Sequence, residues 1–293
     1  MTHPLIGKLA IFGVGLIGGS FALALREAGA VGEVVGVGRS PENLRAALEL
    51  RAIDRIASDN ADALDHADLV LLAMPVGQMG AVMANIAPHL QAGTVVTDAG
   101  STKQDVVALA REFLPKHLES FVPGHPIAGA EHSGARAARA DLYRGRNVVL
   151  TPLPENTPAA LEKVGAAWRA CGANVAHTTP ANHDSVFAAV SHLPHLLAFA
   201  LVDDIAAKAN AEEMFHHAAS GFRDFTRIAA SSPEMWRDIC LANRDALLGE
   251  LDAYQAQLTR LRSMLEKRDG TGLEQVFDSA SQARRKWAVD KGL

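Results

Sequence analysis

The residues in this chain whose types and spacing could do chemistry are its twelve histidines and a few glycine-rich turns. Gly13-Val14-Gly15-Leu16-Ile17-Gly18 fits G-x-G-x-x-G and lies between an apolar run, Lys8–Phe12, and a helical pattern, Leu16–Ala28. Gly13 permits the tight turn, Gly15 lets the backbone approach a pyrophosphate, and Gly18 lets helix and strand pack closely. The first helical residues, Leu16 and Ile17, add free N–H groups and partial positive charge. These features predict a bound dinucleotide. An NAD site carries an acid about 20 residues after the last glycine, for the ribose hydroxyls. Here the segment reads Gly38-Arg39-Ser40. No carboxylate repels a 2′-phosphate, the Arg39 guanidinium can bind one, and Ser40 adds a hydroxyl, so NADP is favoured and NAD is the alternative. Ser40 also reads as the N-cap of the next helix.

Ligands in open parallel sheets sit beyond the carboxyl ends of the strands. Three strand-end turns are informative there. In Met74-Pro75-Val76, Pro75 stiffens the turn and offers a wall to the cofactor. Asp98-Ala99-Gly100-Ser101-Thr102-Lys103 leaves room for a ring and presents the Ser101 hydroxyl. In Gly124-His125-Pro126-Ile127-Ala128-Gly129-Ala130-Glu131, glycine and proline restrict the backbone around His125, which suits a positioned proton acceptor. Later come His183 and Asp184, Ser191-His192-Leu193-Pro194-His195, and Gly221-Phe222-Arg223-Asp224-Phe225-Thr226-Arg227. His192 and His195 have a spacing that zinc can use, but Pro194 breaks the helix geometry and no cysteine or well-placed acid completes a set. No metal is expected. Cys171 and Cys240 read as two packed thiols in a reducing compartment.

The elements that must position these groups follow from hydrophobic patterning. Lys8–Phe12, Glu33–Val37, Asp68–Met74 and Thr94–Thr97 are apolar along their length, as strands buried on both faces of a parallel sheet are. Leu16–Ala28, Pro41–Leu50, Gly77–Leu90 and Thr102–Phe113 alternate with them as helices, and Asn147–Leu150 and Asn174–His177 could extend the same sheet. Beyond Thr179-Pro180 the pattern turns helical, over His183–Val190, Pro194–Lys208, Pro233–Leu265 and Leu273–Lys286. The expectation is an α/β protein: a mostly parallel sheet domain over residues 1–180, then an all-helical domain over 181–293. The second half is apolar on several faces, which predicts a homodimer through its helices.

Composition narrows the partners. With 293 residues, 48% of them hydrophobic, the chain can bury a sizeable core. A net charge of -5 and no basic block longer than Arg284-Arg285-Lys286 leave no footprint for nucleic acid or a membrane surface. Leu9–Gly19 lacks the flanks of a signal peptide, and no uninterrupted apolar run reaches the roughly 18 residues of a membrane span. A cytoplasmic protein acting on a small molecule is expected.

Taken together, Gly13–Ser20, Asp98–Lys103, Gly124–Gly129, Ser191–His195 and Asp224-Phe225-Thr226-Arg227-Ile228-Ala229 resemble the prephenate/arogenate (cyclohexadienyl) dehydrogenase family, in order and over essentially the whole chain. The resemblance implies a Rossmann domain joined to a helical dimerisation domain, and oxidative decarboxylation of prephenate or arogenate with NADP or NAD. It implies roles too. His125 would accept the ring-hydroxyl proton, and Ser101 would orient that hydroxyl and the nicotinamide. Arg227 would hold a substrate carboxylate, with Asp224 orienting it and His195 assisting at the side-chain end. His183 and His192 would stand in or behind the first layer around the substrate, and Glu131 at the pocket mouth. Gly38 departs from the acid that many NAD-dependent members carry. Two other readings fit the fold: a two-domain NADP oxidoreductase of the β-hydroxyacid dehydrogenase or imine reductase kind, and a non-catalytic NADP sensor.

Overall fold

Strand β1 (Ile6–Phe12) shows how the sequence builds the sheet. Successive side chains point to opposite faces, so Leu9 and Ile11 enter one core and Ala10 and Phe12 the other, all of them buried. Burial of each large side chain stabilises the fold by about 1.5–3 kcal/mol. The computed structural model describes residues 4–130 and 132–290. Around β1 lie β2 (Val31–Val37), β3 (Arg55–Ile56), β4 (Leu69–Leu72), β5 (Val95–Asp98) and β6 (Phe121–Val122). They form a six-stranded sheet in the order β3-β2-β1-β4-β5-β6, with every pair parallel. The intervening helices are α1 (Leu16–Glu27), α2 (Pro41–Glu49), α3 (Asn60–Leu64), α4 (Met79–Ile86) and α5 (Gln104–Phe113). This is the Rossmann order, whose crevice opens where the strand sequence reverses between β1 and β4.

The next strands differ from expectation. Asn147–Leu150 (β8) and Asn174–His177 (β9) do form, but with β7 (Gly124–Pro126) they make a separate three-stranded sheet. Strand β7 pairs antiparallel with β8, so His125 faces Val149 from a strand and not from a turn. Helix α6 (Pro158–Ala170) packs Trp168 against Phe21 of α1 and Tyr143, with ring centroids 4.5 and 5.1 Å apart.

Helices α7 (Pro180–Phe187), α8 (Leu193–Ala206), α9 (Ala211–His216), α10 (Ser220–Thr226) and α11 (Pro233–Ala242) follow. A π turn, Ala188–His192, joins α7 to α8. Pro194 explains it: proline has no N–H to donate and its ring clashes with the carbonyl four residues back, so the chain takes a wider turn. The rod Pro180–Ala206 runs 27 residues and is, by length and composition, apolar enough to cross a membrane, although polar residues keep any uninterrupted apolar run in it short. Its buried polar residues, His183, Asp184 and His192, are what interrupt the apolar run in the sequence.

By packing, the chain divides into units 1–244 and 245–293, and α7 to α11 belong with the sheets. The expected helix Pro233–Leu265 is broken at Asn243, after which come α12 (Arg244–Glu266) and α13 (Gly270–Asp290). In the second unit, Asp269 caps α13 by accepting a 2.8 Å hydrogen bond from the Gly272 N–H. Leu258, Leu265, Phe277, Trp287 and Val289 are exposed there.

Candidate active site

The glycine turn sits at the mouth of the crevice. Gly13 has φ +96°, and a Cβ there would lie 2.5 Å from the Ala73 carbonyl oxygen; a Cβ at Gly18 would strike the Gly13 carbonyl. A Cβ at Gly15 would meet nothing within 4 Å, so this backbone faces open space, as a close pyrophosphate requires. Helix α1 starts there at Leu16 and Ile17, with no side-chain cap and no acid in its first turn. These residues therefore fit a dinucleotide. Across the crevice, half-buried Pro75 begins the turn Val76–Gln78 after β4. Ser40 is the N-cap of α2, its Oγ accepting from the Asn43 N–H at 3.2 Å, so the cap reading of that hydroxyl holds. Arg39 is exposed and makes no ion pair among the described residues.

The histidine corner is assembled by α7, which Thr179 caps and Pro180 starts. His125 Nδ1 lies 2.8 Å from His183 Nε2, and His183 Nδ1 lies 2.8 Å from Asp184 Oδ1. Asp184 also accepts from two α5-start amides, Lys103 N–H on Oδ1 and Gln104 N–H on Oδ2, both at 2.8 Å. Burial opposes the Asp184 charge, but the bonds from His183, Gln104 and Lys103 outweigh it and hold its pKa below the usual carboxylate value. An ionised carboxylate only accepts, and this assigns the tautomers. His183 carries its proton on Nδ1 and offers the Nε2 lone pair, so His125 donates from Nδ1. His125 Nε2 is therefore bare and ready to take a proton. Burial first, then unfavourable electrostatics with His183, Lys103 and His192, lowers the His125 pKa well below the ordinary histidine value. Burial also lowers His183, against the pull of Asp184. Phe187 covers both rings, with centroids 4.9 Å from His125 and 4.5 Å from His183.

The π turn places the other histidines. Asn243 donates from Nδ2 to the Asp184 carbonyl at 2.8 Å and to His192 Nδ1 at 3.0 Å. Burial drives the His192 pKa down to about 4, with Asp184 pulling the other way. His195 donates from Nδ1 to the Ser191 carbonyl at 2.8 Å and stacks on Trp236 with ring centroids 3.6 Å apart, leaving its Nε2 as an acceptor. Burial lowers its pKa, the Ser191 carbonyl opposes this, and the Arg227 charge lowers it further. Arg227 opens the turn Arg227–Ala230 and is exposed. Asp224 is exposed and pairs with Arg223 at 3.2 Å. Ser101 is half-buried in the β5–α5 loop. Glu131 lies outside the described residues. Among the described residues no group of three or more His, Cys, Asp or Glu side chains is arranged to hold a metal ion.

The structure thus joins His125, His183 and His192 through Asp184 and Asn243, and sets His195 beside Trp236 within range of Arg227's charge. Sequence reasoning gave Asp184 no role beside His183 and missed Asn243, Trp236 and the buried Lys103. Lys103 carried one signal, a cation in a turn of small residues after a buried strand.

Comparison with known proteins places this arrangement. The family model described as "Prephenate dehydrogenase, nucleotide-binding domain" matches residues 21–177, and "Prephenate dehydrogenase, dimerization domain" matches residues 179–279. The chain is 37% identical to a cyclohexadienyl dehydrogenase of Zymomonas mobilis over 97% of both chains. It is 36% identical to a prephenate dehydrogenase of Bacillus subtilis, over 94% of this chain and 75% of that one. Among solved structures it resembles prephenate dehydrogenase from Aquifex aeolicus in complex with hydroxyphenyl propionate and NAD+, with a TM-score of 0.90, 34% identity, and 98% and 99% of the two chains covered. Two family models spanning most of the chain and relatives of this identity and coverage lead to one conclusion: the chain belongs to the prephenate dehydrogenase family.

Proposed function

We propose that this protein oxidatively decarboxylates prephenate or arogenate, with NADP favoured over NAD, as a cytoplasmic homodimer. Residues 1–180 form the dinucleotide-binding half and residues 181–293 the substrate-binding and dimerisation half. The observation that carries the reading is the Asp184–His183–His125 string, which leaves His125 Nε2 unprotonated. A bound nicotinamide supplies the hydride acceptor. His125 takes the proton of the ring hydroxyl, while Ser101 holds that hydroxyl in line. Loss of hydride from the carbinol carbon leaves a ketone, and departure of the ring carboxylate as carbon dioxide puts its electron pair into an aromatic ring; the proton returns to the phenol oxygen. Arg227 grips a substrate carboxylate, with Asp224 orienting it, and Glu131 is the acid of the pocket mouth that the family resemblance implies. His195 Nε2 accepts at the side-chain end, and His192 stands behind it.

Exposed Arg39, with no acid beside it, supports NADP through the 2′-phosphate. The exposed apolar side chains Val190, Leu201 and Phe225 in the first unit, and Phe277 and Trp287 in the second, support the dimer. Cys171 and Cys240, both free, suit a reducing compartment. A histidine string this ordered is of no use to a sensor that only binds, and nothing in the site favours a hydroxyacid or imine substrate.

Steady-state kinetics with each pairing of prephenate or arogenate with NADP or NAD tests the reading. Turnover of either substrate, with Arg39→Ala raising the KM for NADP about 10-fold or more and leaving that for NAD nearly unchanged, is expected. Absence of turnover with both substrates refutes it.

A further inference from the structure

We propose that Lys103 and Asp98, a charge pair sealed beneath the two strand-end turns, are positioning residues for His125. The inference rests on His125 being the proton acceptor. Both side chains are fully buried. Asp98, the last residue of β5, accepts from the Gly124 N–H on Oδ1 at 3.0 Å and from the Gly100 N–H on Oδ2 at 2.7 Å. The Lys103 ammonium pairs with Asp98 Oδ2 and also donates to the Gly124 carbonyl at 2.8 Å. Gly124 is thus held by its N–H through the carboxylate and by its carbonyl through the ammonium. The next residue is His125.

The second half of the argument is where the lysine backbone goes. Its N–H donates to Asp184 Oδ1, at the far end of the string Asp184–His183–His125. One residue therefore ties down both ends of the string, by its backbone at the carboxylate and by its ammonium at the peptide that carries the base. A buried ion pair is a poor source of net stability, since desolvation offsets much of its attraction and a packed apolar pair often does as well. A pair so placed instead fixes geometry, and misplacement of a reacting group by about 1 Å can cost about 100-fold in rate. It also sets a fixed positive charge near His125, which disfavours the imidazolium. The titratable groups acting on His125 are His183 from α7, His192 from the π turn and Lys103 from the β5–α5 corner, with Asp184 behind His183 and Asp98 behind Lys103.

The test compares the full-length protein with Lys103→Met and with the neutral pair Asp98→Asn/Lys103→Met, which leaves no charge stranded if the single variant fails to fold. In the neutral pair, kcat is expected to fall about 10- to 100-fold while the dinucleotide KM stays within about threefold. In Lys103→Met, which removes the positive charge and keeps the Asp98 carboxylate, the acid limb of log kcat against pH should move to higher pH. Nitrogen-15 spectra of labelled histidines follow His125 itself, without turnover, and its titration midpoint should rise in the same direction. A purely structural pair would lower kcat and leave both midpoints where they are; that result, or an unchanged kcat, overturns the proposal. No turnover in the unmodified protein refutes the function proposed above, whereas normal turnover with an unmoved His125 midpoint in the variant refutes only the positioning role.

Discussion

Asp184→Asn puts the string of hydrogen bonds to its sharpest test, because it changes one atom and almost no volume. Asp184 accepts three hydrogen bonds, from His183 Nδ1, Lys103 N–H and Gln104 N–H. Asparagine has one carbonyl oxygen and one amino group, so at least one of the three donors must face another donor. With the amide oxygen in the Oδ1 place the amino group opposes the Gln104 N–H; with it in the Oδ2 place, beside Gln104, the amino group opposes the Lys103 N–H and faces His183 Nδ1, forcing that ring into the other tautomer. His183 then donates from Nε2, His125 must accept on Nδ1, and the proton moves to His125 Nε2, where it blocks the reaction. A positioned base is worth about 10²- to 10⁴-fold, and the equivalent carboxylate-to-amide change in a serine-protease triad costs about 10⁴-fold. The expected loss in kcat is therefore about 10²- to 10⁴-fold, or about 3–5 kcal/mol of barrier. Stability should fall by about 1–3 kcal/mol for the unpaired buried donor. The assay is nicotinamide absorbance at saturating substrate and near-neutral pH, with dinucleotide affinity and the melting curve measured on the same sample. A folded Asp184→Asn variant whose kcat lies within about threefold of the unmodified protein would falsify the tautomer argument.

His125→Asn should lower kcat by about 10²- to 10⁴-fold and leave dinucleotide affinity nearly unchanged, as read by fluorescence titration with the reduced dinucleotide. Arg227→Ala should chiefly raise the substrate KM, by about 10- to 100-fold for a lost charged hydrogen bond; a kcat effect alone would contradict its assignment. The pH profile has a definite sign. The His125 pKa is depressed by burial and neighbouring positive charge, and the base works when deprotonated, so activity persists as pH falls below the ordinary value near 6.5 and is lost only on passing the depressed pKa. The same sign holds for its contribution to stability, which is complete above the unfolded pKa and declines below it as the unfolded chain takes up the proton first. An acid limb of log kcat at or above about 6.5 would contradict the assigned surroundings of His125.

The parts of the fold legible in the sequence are those set by local pattern. β1, β2, β4 and β5 are apolar on both faces, and α1, α2 and α5 follow turn residues with a plain physical purpose, as in Ser40-Pro41. β8 and β9 were legible in extent but not in partner, because strand pairing depends on what arrives alongside; here that is β7, three residues held by cross-strand bonds with little propensity of their own. The break at Asn243 has no glycine or proline to announce it. Its side chain is engaged with Asp184 and His192, 59 and 51 residues away, and only the tertiary structure makes that visible. The site divides in the same way. His125 stood out by its neighbours and the glycine turn by its motif, whereas the bond that assigns the His125 tautomer crosses 58 residues and leaves no local mark.

The π turn at Ala188–His192 amounts to a single-residue insertion kept inside a helix. Every side chain after it is rotated by about 100° relative to an uninterrupted α-helix, since one residue spans that angle at 3.6 per turn. The two histidine groups of the rod, His183 on one side of the turn and His195 on the other, therefore follow two different helical phases. Deleting one residue there, or straightening the rod with Pro194→Ala, would yield a more regular helix whose downstream half points elsewhere, a change that circular dichroism would score as an improvement and the enzyme would not.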